Sequence, residues 1–143
     1  KAQVCPDLAI TVVKGDSQTV MASCDAMLMS SGTATLEAAL IKRPAVVAYI
    51  LNRLTFAIVK RMYKPEWVSL PNILANEALM PEFLQEQVNS LEGEGTMFEA
   101  IEKRLFEPQD NLISSFSSIH TQLKQNASEK SADAIEELIF NGI

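Results

Sequence analysis

Asp25–Ile50 reads DAMLMSSGTATLEAALIKRPAVVAYI, and the order of its parts decides the fold. A short apolar run, Asp25–Met29, stops at Ser30-Ser31-Gly32-Thr33, which is turn and cap chemistry. Thr33–Ile41 follows with helical composition and must end before Pro44, because proline disfavours the helical conformation of the residue before it. Ala45–Ile50 is then a continuous apolar run with two adjacent valines, the pattern of a strand covered on both faces of a parallel sheet. Strand, helix and strand joined by connections of a few residues predict a parallel α/β unit.

Outward from that unit, the same alternation continues. Leu8–Val13, LAITVV, reads as a strand rich in β-branched residues, and Asp16 or Ser17 caps a short helix running to Ala22. Arg53–Tyr63 reads as an amphipathic helix, and Trp67–Leu70 as a short strand ending at Pro71-Asn72. Beyond that point the pattern changes. Glu82–Val88, Thr96–Phe106, Asn111–Gln125 and Glu129–Phe140 all read as helices with no strand between them, and Asn89–Gly95 as a loop. The expected architecture is α/β: a Rossmann-like parallel sheet with flanking helices over residues 1–88, then an all-helical carboxyl-terminal segment, 89–143.

The chain has 143 residues, 48% of them hydrophobic, enough for one ordinary core. No apolar run reaches the ~18 residues of a transmembrane helix. Cys5 and Cys24 form neither a disulfide framework nor a metal-binding spacing, and the expectation is reduced thiols in a cytosolic protein. The net charge of −6 argues against general nucleic-acid binding. It hides an asymmetry: residues 1–64 hold eight Lys/Arg against four Asp/Glu, and residues 65–143 hold four against fourteen. Lys42–Lys64 carries six basic residues and no acid, a solvated face or one that meets phosphate or an anionic membrane.

The chemistry concentrates where the first apolar run hands over to a helix. Ligands of open α/β sheets sit outside the carboxyl ends of the strands. There, Gly32 lets a ligand approach the backbone, the first helical turn offers unpaired N–H groups with partial positive charge, and Ser30, Ser31 and Thr33 add hydroxyls. That is an anion site of the kind that takes a phosphate or diphosphate. Glu37 is out of register for a capping box from Ser31 or Thr33, and a carboxylate beside a diphosphate is placed to accept the vicinal hydroxyls of a ribose. An ordinary capped helix with a solvated glutamate has the same spacing. Ser69–Ala75, SLPNILA, raises the same question, although Pro71 and Asn72 also suit a plain turn. His120 reads as a surface or packing residue, and Trp67 and Tyr49 fit core or cleft-edge packing as well as base stacking.

Three stretches carry a resemblance: SSGTATLEAALIKRPAVVAY (30–49), FAIVKRMYKPEWVSLPNILA (56–75) and PEFLQE (81–86). Together they resemble the lipid-A-disaccharide synthases, glycosyltransferases with two Rossmann-like domains in the GT-B architecture. The likeness runs from GDSQTVMASCDAML (15–28) through the last helices. It implies transfer of 2,3-diacylglucosamine from its UDP donor onto lipid X, giving the β-1,6-linked lipid A disaccharide and UDP, with no metal or other cofactor. It implies substrate-binding roles for Ser31, Gly32, Thr33, Ala34, Thr35, Glu37, Asn72 and Gln85. Of these, Ser31–Thr33 meet the diphosphate and Glu37 holds the ribose.

Further expectations follow from the resemblance. The family's length implies that this chain is the carboxyl-terminal part of a longer enzyme. The general base then lies in a missing amino-terminal domain, no catalytic residue lies here, and the chain alone is inactive. The helices of 89–143 pack on the sheet domain or on that missing domain. Arg53, Lys60, Arg61 and Lys64 contact an anionic membrane or lipid, with an ordinary basic outer face as the alternative reading. The protein is cytoplasmic, peripheral at the cytoplasmic face of the inner membrane, with homodimers through its last helices. Two other readings stand beside this one: another GT-B cell-envelope enzyme acting on a UDP-sugar, and a non-catalytic nucleotide-sugar-binding module.

Overall fold

The structure, a computed structural model, describes residues 9–30, 32–52, 55–56, 61, 66–90 and 95–140. Its centre is a three-stranded parallel sheet in the order β1 (Met27–Met29), β2 (Ala45–Tyr49), β3 (Glu82–Leu84). The register pairs Met29 with Val47 and Tyr49 with Leu84. Among the described residues these helices have both bounds defined: α1 (Ser17–Ser23), α2 (Thr33–Leu40), α3 (Leu70–Ala75), α4 (Met97–Phe106), α5 (Asp110–Leu123) and α6 (Ala127–Phe140). A 3₁₀ helix, Gln85–Asn89, follows β3 directly.

The α/β architecture expected from Asp25–Ile50 is present, with a parallel sheet, flanking helices and a helical carboxyl-terminal segment. Side chains alternate along β2, so Val46 and Val47 face opposite sides of the sheet, and both are fully buried. On one side Val47 joins Met27, Ala38, Ala39, Leu79, Met80, Leu112, Phe116 and Ile119 in the core. Small residues at Ala38 and Ala39 bring α2 close to its neighbours. α5 closes this side through Leu112, Phe116 and Ile119, packing against both α2 and α3, while α4 packs against β2. Coverage weakens at the edge: Leu28 of β1 is 52% exposed. α6 is exposed along its whole length.

Three expectations are corrected. Residues 9–14 take no regular structure and are exposed throughout, although LAITVV is rich in strand formers. Strand propensity is realised only with a partner ladder and a covered face, and among the described residues the sheet ends at β1. Trp67–Leu70 is not a strand: α3 starts at Leu70 with Pro71 in its first turn, where the missing N–H of proline costs nothing. Glu82–Val88 is not a helix: Glu82–Leu84 pairs with β2 and the chain then tightens into the 3₁₀ turn. The acidic second half therefore contributes a strand. Of the basic helix expected over Arg53–Tyr63, Thr55, Phe56 and Arg61 are helical, and Arg53, Lys60 and Lys64 lie outside the described residues.

Candidate functional site

The carboxyl ends of the three strands share one edge of the sheet, because the strands are parallel. β1 leads into Ser30, which is exposed, then to Gly32, the N-cap of α2; Ser31 lies outside the described residues. Gly32 has φ 144° and ψ −167°, a region open essentially to glycine alone. A β-carbon there would meet nothing within 4 Å, so backbone conformation rather than space demands the glycine. Among the described residues no side chain caps α2. The N–H groups of Thr33 and Ala34, at the start of the helix, have no intrahelical acceptors.

Thr35 is fully buried and turns inward. Its hydroxyl donates to the Gly32 carbonyl at 2.7 Å, and its own N–H donates to the same oxygen at 3.2 Å. Thr35 thus holds the glycine turn from inside. Thr33 is exposed at the helix start and Ala34 is half-buried behind it. Glu37 is half-buried on α2, and among the described residues its carboxylate is spent on no hydrogen bond.

β2 and β3 complete the edge. Gln85 follows β3 immediately and takes φ 56°, which turns the chain sharply out of the strand. With its amide oriented by hydrogen bonding, Gln85 donates to the Leu51 carbonyl at 3.2 Å and accepts from the Leu51 N–H at 3.0 Å. One side chain therefore ties the carboxyl ends of β2 and β3 together.

Asn72 sits apart from this edge's surface. It is 0% exposed on α3. Its Nδ2 donates to the Met80 carbonyl at 2.7 Å and to Glu82 Oε1 at 2.9 Å, while its Oδ1 accepts from the Met80 N–H at 2.8 Å. Both ends of the amide are used inside the protein. Glu82 is the residue that the sequence reading missed. Its Oε1 also accepts from the Ser69 N–H at 2.8 Å and the Ser69 hydroxyl at 2.7 Å, and its Oε2 accepts from the Val68 N–H at 2.8 Å. The signal available was Ser69 followed by Pro71, a helix start rather than a strand end. Nothing in the spacing points from Ser69 to an acid so far along the chain.

The structure thus gathers Gly32, Thr33, Thr35 and Glu37 on one loop and helix start, and joins Gln85 to the end of β2. Among the described residues no helix is long and apolar enough to cross a membrane.

A family model, lipid-A-disaccharide synthetase, matches residues 1–137. The chain is 43% identical over 139 residues to the lipid-A-disaccharide synthase of Colwellia psychrerythraea, covering 97% of this chain and 34% of that protein. It is 44% identical over 134 residues to the enzyme of that name from Alteromonas mediterranea, 93% of this chain and 34% of the relative. Against the one from Pseudomonas syringae pv. syringae it is 45% identical over 136 residues, with shares of 93% and 34%. The chain therefore spans about a third of the length of these curated relatives.

Proposed function

This chain belongs to the lipid-A-disaccharide synthase family, and from that premise we propose that it supplies the donor-nucleotide side of a lipid A glycosyltransferase. The donor is a UDP-linked 2,3-diacylglucosamine and the acceptor is lipid X, a 2,3-diacylglucosamine 1-phosphate. The acceptor's 6-hydroxyl attacks the donor's anomeric carbon, the bond from that carbon to the diphosphate breaks, and UDP leaves. The general base stands outside this chain.

The observation that carries the reading is the handover from β1 to α2. A glycine in a glycine-only conformation opens a helix whose first turn no side chain among the described residues caps, at the carboxyl edge of a parallel sheet. The N–H groups there stabilise the charge that builds on the leaving diphosphate, and they are already oriented when the bond breaks. Thr33, exposed at the helix start, adds a hydroxyl, and Ser31, its near neighbour in sequence, is the second hydroxyl assigned to the diphosphate. Ala34 keeps the second helical position small, and Thr35 holds the turn through Gly32. Glu37, with a carboxylate unspent among the described residues, accepts the two ribose hydroxyls. Gln85 serves the site by tying the ends of β2 and β3, and Asn72 by fixing Met80 and Glu82 from within. Arg61, exposed, with Arg53, Lys60 and Lys64, faces anionic lipid at the membrane where both substrates reside. A second copy of the chain pairs through the last helices.

UDP titration by calorimetry tests the reading on this chain and on Glu37→Ala. Binding by the wild type, weakened about ten- to hundred-fold in the variant, is the expected result, the worth of about 1.5–3 kcal/mol for hydrogen bonds to a charged group. Equal affinity of the two, or no binding by a folded wild-type chain, overturns it.

A further inference from the structure

We infer that Glu82 is a positioning residue for the nucleotide site, a role that rests on the nucleotide reading above. Its two carboxylate oxygens accept four hydrogen bonds, from the N–H groups of Val68 and Ser69, the Ser69 hydroxyl and the Asn72 amide. A carboxylate so occupied by the protein's own donors reaches no substrate, so Glu82 acts through what it holds.

What it holds is the entry to α3. The backbone amides of Val68 and Ser69 bond to a single side chain on β3 instead of a neighbouring strand, which is why the stretch that reads as a strand becomes a helix start. α3 packs against α2, the helix that carries the glycine turn and Glu37. Three residues after Glu82, just past the end of β3, Gln85 grips Leu51. The short strand β3 is thus a strut fastened at both ends. Glu82 sets α3, and through it α2, at one end; Gln85 sets the exit of β2 at the other. The indole N–H of Trp67, next to the clasped amides, is buried with no hydrogen-bond partner among the described residues. The clasp holds the segment in place against that cost.

Glu82→Gln tests the role, because it sets an amide donor against donors that the carboxylate now satisfies. UDP affinity is measured by calorimetry at a temperature where the chain is folded, alongside amide hydrogen exchange of residues 66–90. Phe116→Leu, a core substitution outside the clasp, serves as the control for general loss of stability. The expected result is faster exchange at Val68 and Ser69 and about ten-fold weaker UDP binding in Glu82→Gln, with unchanged affinity in Phe116→Leu. Should Glu82→Gln fail to fold, Ser69→Ala decides: it removes one of the four donors and is expected to weaken UDP about two- to three-fold. Wild-type affinity in Glu82→Gln despite faster exchange overturns the positioning role, as does wild-type affinity in Ser69→Ala. A wild-type chain that binds no UDP overturns the nucleotide reading, and this role with it.

Discussion

The side-chain amide of Asn72 pairs with the backbone of Met80 at both ends, its Nδ2 donating to the carbonyl at 2.7 Å and its Oδ1 accepting from the N–H at 2.8 Å. The pair is buried: both residues are 0% exposed. An asparagine here does what a neighbouring strand would do, closing a two-bond ring on the backbone of a residue that has left α3 and not yet entered β3. Removing it strands buried donors and acceptors. Asn72→Ala is expected to cost about 3 kcal/mol, the sum of unsatisfied groups at about 1–3 kcal/mol each. Asn72→Asp is expected to cost more, because its second oxygen would face the Met80 carbonyl and the Glu82 carboxylate. Urea unfolding followed by circular dichroism ranks the two; an aspartate milder than alanine refutes the geometry.

Gly32 offers a cleaner backbone test. A β-carbon finds open space there but an unfavourable φ. Gly32→Ala is therefore expected to destabilise by about 1–3 kcal/mol through strain alone and to weaken UDP binding by misaligning the first turn of α2. Denaturant unfolding and calorimetry read the two effects. A fully stable alanine variant would mean that the glycine conformation is not required.

Two phenylalanines on adjacent helices predict opposite outcomes. Phe116 on α5 is 0% exposed and Phe140 on α6 is 78% exposed. Phe116→Ala is expected to cost about 3–5 kcal/mol, and Phe140→Ala to stay within about 0.5 kcal/mol in this chain. Thermal unfolding of both variants checks whether α5 belongs to the sheet's core while α6 does not.

Thr96 caps α4, its hydroxyl accepting from the Glu99 N–H at 3.3 Å, while the Glu99 carboxylate reaches back to the Gly95 N–H at 2.7 Å. Thr96→Ala is expected to cost about 1 kcal/mol, with the loss confined to α4 in an exchange experiment. A loss spread over the whole chain would place Thr96 elsewhere in the energetics.

Long-range contacts explain the sequence reading's misses. α2 and β2 were legible because their signals are local: a turn glycine, a helical run stopped short of Pro44, and a continuous apolar strand. α4, α5 and α6 were legible through helical composition, and their bounds fall within two residues of the reading. β3 was not, because EFL carries only three residues of strand and runs into a 3₁₀ turn that has helical composition. Trp67–Leu70 failed for a related reason. Its apolar residues suit a strand, but the partner of its backbone amides is a carboxylate on a different element.

The candidate site divides along the same line. Gly32 and Glu37 are visible in the sequence because a glycine turn and a carboxylate lie within one short stretch, governed by the local rules of helix starts. Family resemblance added Asn72 and Gln85 as positions without a physical role. Tertiary structure gave them one: Asn72 bonds Met80 and Glu82 in the interior, and Gln85 bonds Leu51 across strands. It alone also decided that residues 9–13 of LAITVV find no partner in the described sheet and that Glu82 clasps the entry to α3. Periodicity and caps report what a segment does with its own backbone. Which distant group satisfies a buried amide depends on how the segments meet, and that is settled only when the chain has folded.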